Sequence, residues 1–364
     1  MAQSGIRRIG VMTSGGDCAG LNAAIRAVVQ RAVEGYGWEV VGIRNGTAGL
    51  LERPMLCETL DLRLVTGDML RKGGTFLGTV NKGDPFAYPM PDGGCQDRSA
   101  EVIAGFHALH LDALIGIGGD GSMRILSRLA AQGQIRFVGI PKTIDNDVAQ
   151  TDLSIGYMTA VDTAVEALDR LQPTAASHQR IMILEVMGRD VGHIAIAAGI
   201  AGGADIILIP EIPFEIGKVT ARLVEVRQRW ERNHALVVVS EGVRLATGAA
   251  VTHNLADGQV RYGGVGHAIG ALIAQQTGAE TRVTVLGHVQ RGGIPNSLDR
   301  VLATTLGCAA VDLVAQGKTD RVVTWQRGAV VDVPLNEVAG QTRCLSPDHS
   351  MVQTARKMGI CLGD

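Results

Sequence analysis

Short apolar runs that end in Gly- and Asp-rich turns and then hand over to longer helical-period stretches recur along this chain, and that rhythm constrains the fold most. Residues 9–13, 40–43, 114–117, 137–140, 181–186 and 236–239 read as strands, and 21–33, 125–131 and 159–171 as helices. Strands of this length alternating with helices build parallel sheets covered on both faces, so the expectation is an α/β fold with doubly wound, mostly parallel sheets. At roughly 150 residues per domain, 364 residues point to two domains. Residues 82–96 and 250–264 mix Gly, Asp and polar residues without periodicity and read as surface excursions.

Composition removes several function classes. With 46% hydrophobic and 19% charged residues the chain is a packed globule, not a disordered one. A net charge of -2 offers a polyanion no general attraction, which argues against nucleic-acid or membrane-surface binding. No apolar run approaches the roughly 18 to 20 residues that span a bilayer, and the first ten residues lack a secretory apolar core, so a cytoplasmic location is expected. The six cysteines lie far apart with no Cys-x-x-Cys pair, which fits reduced thiols better than zinc or dithiol chemistry. Glycine, at 48 residues, is close to twice its ordinary share of about 7%, while aromatics make up only 3%. That balance suits backbone brought close to small anions rather than platforms for stacked bases.

In open parallel sheets ligands bind beyond the carboxyl ends of the strands, so the turns there carry the chemistry. Ser14-Gly15-Gly16-Asp17 opens bare N–H groups toward a helix start, which suits a phosphate; a tight turn needing glycine only for its dihedrals is the other reading. Neither a Walker A pattern nor G-x-G-x-x-G is present at that turn. Gly118-Gly119-Asp120-Gly121-Ser122 sets one carboxylate among glycines, where Mg2+ and phosphate oxygens fit, or where Asp120 caps a helix. Thr143, Asp145 and Asp147 alternate, so an extended segment would project them to one face, and paired carboxylates invite general-base work. Solvated turn acids are the alternative. Downstream, Arg180, Arg189, Arg282 and Arg291 stand beside His or Gly at strand ends and match a phosphate monoester, because guanidinium donates to two oxygens at once, though any one alone reads equally as a surface salt bridge. His178 and His288 lack the spacing of a metal pair.

Taken in order, TSGGD, GGTFLG, GGDGS, the TIDND turn, SHQR, EVMGR and GHVQRGG resemble the 6-phosphofructokinase family from about Arg7 to Gly317. The resemblance implies two doubly wound domains: a phosphoryl-donor domain of residues 1–156 with 290–340, and a fructose 6-phosphate domain of residues 157–289 with 341–364. It implies ATP-dependent phosphorylation of the sugar 1-hydroxyl. Gly16 then lies against the moving phosphoryl group, and Asp120 holds Mg2+. Asp145 is the base, Thr143 and Asp147 hold the reacting region, and Arg189 stabilises developing charge. Lys82, Gly119, Gly121, Ser122 and Lys142 match donor positions. Arg180, Arg282, His288 and Arg291 match the sugar-phosphate ligands, with Met187, Gly188 and Glu241 lining the sugar. In bacterial relatives Arg180 and Arg282 reach in from a neighbouring subunit of a homotetramer, so a homotetramer or homodimer is expected.

Two positions mark the donor in this family. ATP enzymes of the bacterial type carry glycine at both, whereas pyrophosphate enzymes carry Asp in place of Gly121 and Lys at the second, and this chain has Gly121 with Lys142. An Asp at 121 would face the α-phosphate of ATP at a cost on the order of 4 kcal/mol near 4 Å and an effective dielectric of 20. Lys142 adds a cation useful to either donor. ATP is therefore expected, with pyrophosphate as the alternative. A non-catalytic sugar-phosphate or nucleotide sensor is the reading from another class, against which stand Asp120, Asp145 and Asp147.

Overall fold

The computed structural model describes residues 5–81, 83–229, 231–245, 251–254 and 260–364. The chain divides into two compact units: the segment up to Met158 with Arg291–Arg343, and Thr159–Gln290 with Cys344–Asp364.

The first unit is built on a seven-stranded sheet. Its strands are β1 (Arg8–Thr13), β2 (Glu39–Ile43), β3 (Cys57–Leu60), β6 (Ala113–Gly118), β7 (Phe137–Pro141), β14 (Arg321–Gln326) and β15 (Ala329–Pro334), in the order β15-β14-β7-β6-β1-β2-β3. The pairs from β14 to β2 are parallel, and only the two edge strands run antiparallel. Strands covered on both faces need apolar residues throughout, which is why Ile9, Val11, Ile115, Ile117 and Ile140 are all fully buried. Helices α1 (Leu21–Tyr36), α2 (Ala48–Leu51), α3 (Ser99–Ala108), α4 (Asp120–Gly133) and α9 (Ser297–Ala315) accompany the sheet. The first expected surface excursion contains a two-stranded hairpin, β4 (Tyr88–Pro89) with β5 (Cys95–Gln96).

The second unit carries a four-stranded, wholly parallel sheet of β8 (Ile181–Val186), β9 (Ile206–Leu208), β10 (Ala235–Ser240) and β13 (Thr281–Val285), in the order β13-β8-β10-β9. Its helices are α5 (Tyr157–His178), which begins two residues before the unit does, α6 (His193–Ala201), α7 (Ile216–Arg229), α8 (Val265–Thr277) and α10 (Ser350–Lys357). The second expected excursion holds the hairpin β11 (Thr252–Asn254) with β12 (Val260–Tyr262). The C-terminal segment belongs to the core: Leu345, Val352, Ala355 and Leu362 are buried, and Cys361 pairs with Ile206 at the free side of β9.

All three helices read from the sequence are longer in the structure, the one read over 125–131 running from Asp120 to Gly133. The first helix runs on to Tyr36, where Gly37 at φ +67° ends it. The long helix α5 passes through Pro173, whose ring would be expected to end it, and reaches His178. Among the described residues no helix is long and apolar enough to cross a membrane.

Candidate active site

In the first unit three adjacent strands end level. Thr13 pairs with Ile117 and Gly118 with Pro141, so the turns after β1, β6 and β7 leave the sheet at one edge. Backbone bonds fix the exits, from Ser14 N–H to Ile117 O (2.9 Å) and from Lys142 N–H to Gly118 O (2.9 Å).

The turn after β1 is held from its carbonyl side. Gly15 adopts φ +80°, a region that side-chain-bearing residues avoid. Thr79 Oγ1 donates to Gly15 O (2.6 Å), the Lys142 ammonium donates to Ser14 O (3.0 Å) and to Gly16 O, and Arg291 Nη1 donates to Asp17 O (3.1 Å). A Cβ on Gly16 would strike the Arg291 guanidinium. Four consecutive carbonyls are thus engaged by side chains. Lys142 is only 4% exposed, and burial pulls its pKa down. Its ammonium is committed to the turn, a role that residue type alone does not reveal. Beneath it, Asn22 clamps the GGTFLG segment, accepting from Phe76 N–H (2.9 Å) and donating to Lys72 O (3.1 Å) and Gly73 O (3.2 Å).

The turn after β6 places Asp120 in the first turn of α4 with Gly119 at the capping position and no side-chain cap bond. This corrects the alternative reading of Asp120 as the cap. The carboxylate sits instead where the helix dipole favours negative charge. A Cβ at Gly121 would meet nothing within 4 Å, so the space beside Asp120 is open.

The turn after β7 gathers the acids by a different route from the expected one. The segment is not extended: Asn146 has φ +55°, a left-handed kink between the two aspartates. The kink is fixed by the Asn146 side chain, which accepts from Ser154 N–H (2.9 Å) and donates to Asp152 O (3.1 Å). Arg343 secures the far side, its guanidinium donating to Asn146 O (2.9 Å) and its N–H to Asp147 O (2.7 Å). Thr143 Oγ1 accepts from Asp145 N–H (3.1 Å) and its side chain also hydrogen-bonds Asp147. Asp145 is 4% exposed. Burial pushes the Asp147 carboxyl up to about 6, and the negative charges of Asp145 and Asp120 push the same way. Three carboxylates therefore feel one another at this edge.

These residues fit a hard divalent cation that is completed by a ligand. Among the described residues no group of three or more His, Cys, Asp and Glu side chains could hold a metal alone. Asp120 offers one oxygen-donor group beside open space, and the mutual repulsion of the acids is what a cation would relieve.

In the second unit the same logic recurs. Ser240 pairs with Val186 and Val285 with Glu185, so the residues after β8, β10 and β13 emerge at one edge. Met187 and Gly188 are buried, while Arg189 and His288 point outward. A Cβ on Gly188, at φ +154°, would press on Val191 O at 2.5 Å. Glu241 Oε1 accepts from Gly188 N–H (3.4 Å) and Arg189 N–H (3.2 Å), and Gln290 Oε1 accepts from Met187 N–H (2.7 Å). Glu185 Oε1 and Oε2 accept from Gly264 and Gly266 N–H, each at 2.8 Å, at the start of α8.

The four arginines do not form a single cluster. Arg180 precedes β8 and Arg189 follows it, so the whole six-residue strand, at roughly 3.3 Å per residue, lies between them. Arg180 and Arg282 both converge on Glu280 at the amino-end edge, the first at 3.0 Å, and the Arg180 hydrogen bond leads in holding the Glu280 carboxyl below its ordinary range. Arg291 belongs to the first unit, on its glycine turn. Lys82 lies outside the described residues. Thr79, Asn22, Arg343 and Gln290 were not singled out from the sequence, since nothing in residue type marks a side chain that serves backbone.

A sequence profile described as Phosphofructokinase matches residues 8–314. Named ATP-dependent 6-phosphofructokinase 1, one relative from Synechocystis sp. is 57% identical over 99% of this chain and 99% of its own length. Its namesake from Nostoc sp. is also 57% identical, over 98% and 99%. Among solved structures, phosphofructokinase from Saccharomyces cerevisiae superposes with a TM-score of 0.79 at 28% identity, covering 91% of this chain and 44% of that one. A pyrophosphate-dependent phosphofructokinase from Marinobacter aquaeolei gives 0.78 at 25% identity, covering 99% and 93%.

Proposed function

Because the chain belongs to the phosphofructokinase family, we propose that it transfers the terminal phosphoryl group of ATP to the 1-hydroxyl of fructose 6-phosphate, releasing ADP and fructose 1,6-bisphosphate in glycolysis. One observation carries the chemistry: the level exits of β1, β6 and β7 gather a braced glycine turn, a carboxylate beside open space and a buried acid, Asp145, with the half-buried Asp147 beside it.

Phosphoryl transfer asks a protein mainly for positioning and charge neutralisation. With its carbonyls held behind it, the Gly16 turn has its N–H groups available to phosphate oxygens. Gly119, Gly121 and Ser122 line the donor, Lys82 adds a cation, and Lys142 serves the donor through the turn it holds. Asp120 would hold Mg2+, which when bound supplies positive charge to the donor phosphates. Asp145 takes the proton from the 1-hydroxyl as its oxygen gains the PO3 group, while Thr143 and Asp147 orient that region. In the second unit Arg189 stabilises charge on the moving group. Met187, Gly188 and Glu241 line the sugar, and His288 and Arg291 are proposed as ligands of the sugar phosphate. Arg180 and Arg282 are proposed to serve a neighbouring subunit of a homotetramer in the cytoplasm, in keeping with their place at the opposite sheet edge from Arg189. Mixing Arg282→Ala with Asp145→Asn subunits should then recover activity that neither has alone.

Lys142 and the Marinobacter likeness favour pyrophosphate as a second reading; Gly121 and the 57% identity to ATP enzymes outweigh them. Paired assays test this. Fructose 6-phosphate should turn over with MgATP, and turnover with pyrophosphate alone would overturn the donor assignment.

A further inference from the structure

Three consecutive backbone N–H groups follow β8, those of Met187, Gly188 and Arg189, and all three are received by side chains. Glu241 takes the second and third from the end of β10. The first goes to Gln290, from the turn after β13, at 2.7 Å, the shortest of the three. Gln290 is 1% exposed and is flanked in sequence by His288 and Arg291. Its amide nitrogen donates to Ala160 O at 3.5 Å, so both ends of the side chain are spent on backbone.

We infer that Gln290 is a positioning residue for the sugar phosphate: its amide locks the Gly287–Arg291 turn to the Met187–Arg189 turn and thereby sets the spacing between His288 and Arg189. The inference rests on the reading of this edge as the fructose 6-phosphate site. A polar side chain buried this completely is costly unless both of its hydrogen-bonding ends are matched, and here one is matched by the Met187 turn and the other by Ala160 in α5. No part of Gln290 needs to touch substrate.

The test uses the full-length enzyme, with Gln290→Leu and Gln290→Glu compared with wild type for the KM of each substrate, kcat and thermal midpoint. Gln290→Leu leaves the Met187 N–H unmatched and should raise the KM for fructose 6-phosphate by about tenfold or more, leaving the KM for ATP within about twofold. Gln290→Glu guards against a misfolded leucine variant. Its protonated carboxyl can donate to Ala160 O and accept from Met187 as the amide does, whereas its ionised form cannot donate. Burial at this position should hold that carboxyl above the ordinary carboxylate range, so the variant's KM for fructose 6-phosphate, relative to wild type, should climb as rising pH ionises it. Parallel changes in both KM values, or none in that for the sugar phosphate, would overturn the inference and leave the functional reading standing. A wild-type enzyme without fructose 6-phosphate turnover would overturn both.

Discussion

Single side chains at the donor edge do their work through backbone or through one another, and their removal has separable consequences. Lys142→Met keeps the apolar stem and deletes the two bonds to Ser14 and Gly16 carbonyls, charge-assisted contacts worth roughly 1.5–3 kcal/mol each. The KM for ATP should rise at least about tenfold while that for fructose 6-phosphate holds; an unchanged KM for ATP would show that the turn keeps its shape unaided. Asp147 offers a pH test. Its carboxyl moves from an ordinary 3.8 to about 6 in the folded protein, so between those values the folded state binds more protons than the unfolded one. The contribution of Asp147 to stability is then greatest below about pH 4, falls as pH rises through 6, and is level above it. Asp147→Asn removes that penalty and should be more stable than wild type by about 1–3 kcal/mol at pH 8, with the gap closing toward pH 4. Denaturant titrations of the ligand-free proteins at both pH values would show it, and a gap that does not change with pH would contradict the assignment.

Elements succeed or fail here according to how their ends are tied. Glu185 accepts from two N–H groups at the start of α8 while 1% exposed, so Glu185→Ala should cost about 2–4 kcal/mol by leaving both groups unmatched, seen as a lower midpoint in urea. The strands were legible beforehand because two-sided burial leaves a nearly unbroken apolar run, as in residues 114–117 and 181–186. The turns were legible as places, since Gly and Asp follow those runs directly. Their shapes were not. Alternation suggested an extended path for Thr143, Asp145 and Asp147, whereas Asn146 adopts a left-handed conformation that its own side-chain bonds to Asp152 and Ser154 stabilise. Pro173 lies inside α5, where its ring removes a helical hydrogen bond, and its place there shows neighbouring structure prevailing over local preference. The division of the arginines could have been read, because Arg180 precedes and Arg189 follows the same apolar run. Gln290 could not, for a buried amide looks in sequence like any other glutamine.

At the scale of the whole molecule, the C-terminal segment is part of the second unit, with Leu345, Val352, Ala355 and Leu362 buried and Cys361 extending the sheet beyond β9. Deleting residues 344–364 should therefore lower the thermal midpoint sharply or abolish soluble expression, and a truncated chain of wild-type stability would show the segment to be dispensable. The donor-type turns lie in the first unit and most of the sugar-type turns in the second, and only the reaction joins them in one account. That account stands on the acid placed by the kinked turn after β7. Turnover of Asp145→Asn with MgATP and fructose 6-phosphate is its most direct test. The expected result is a kcat lower by about 10² to 10⁴ with sugar-phosphate binding retained; wild-type turnover would contradict it.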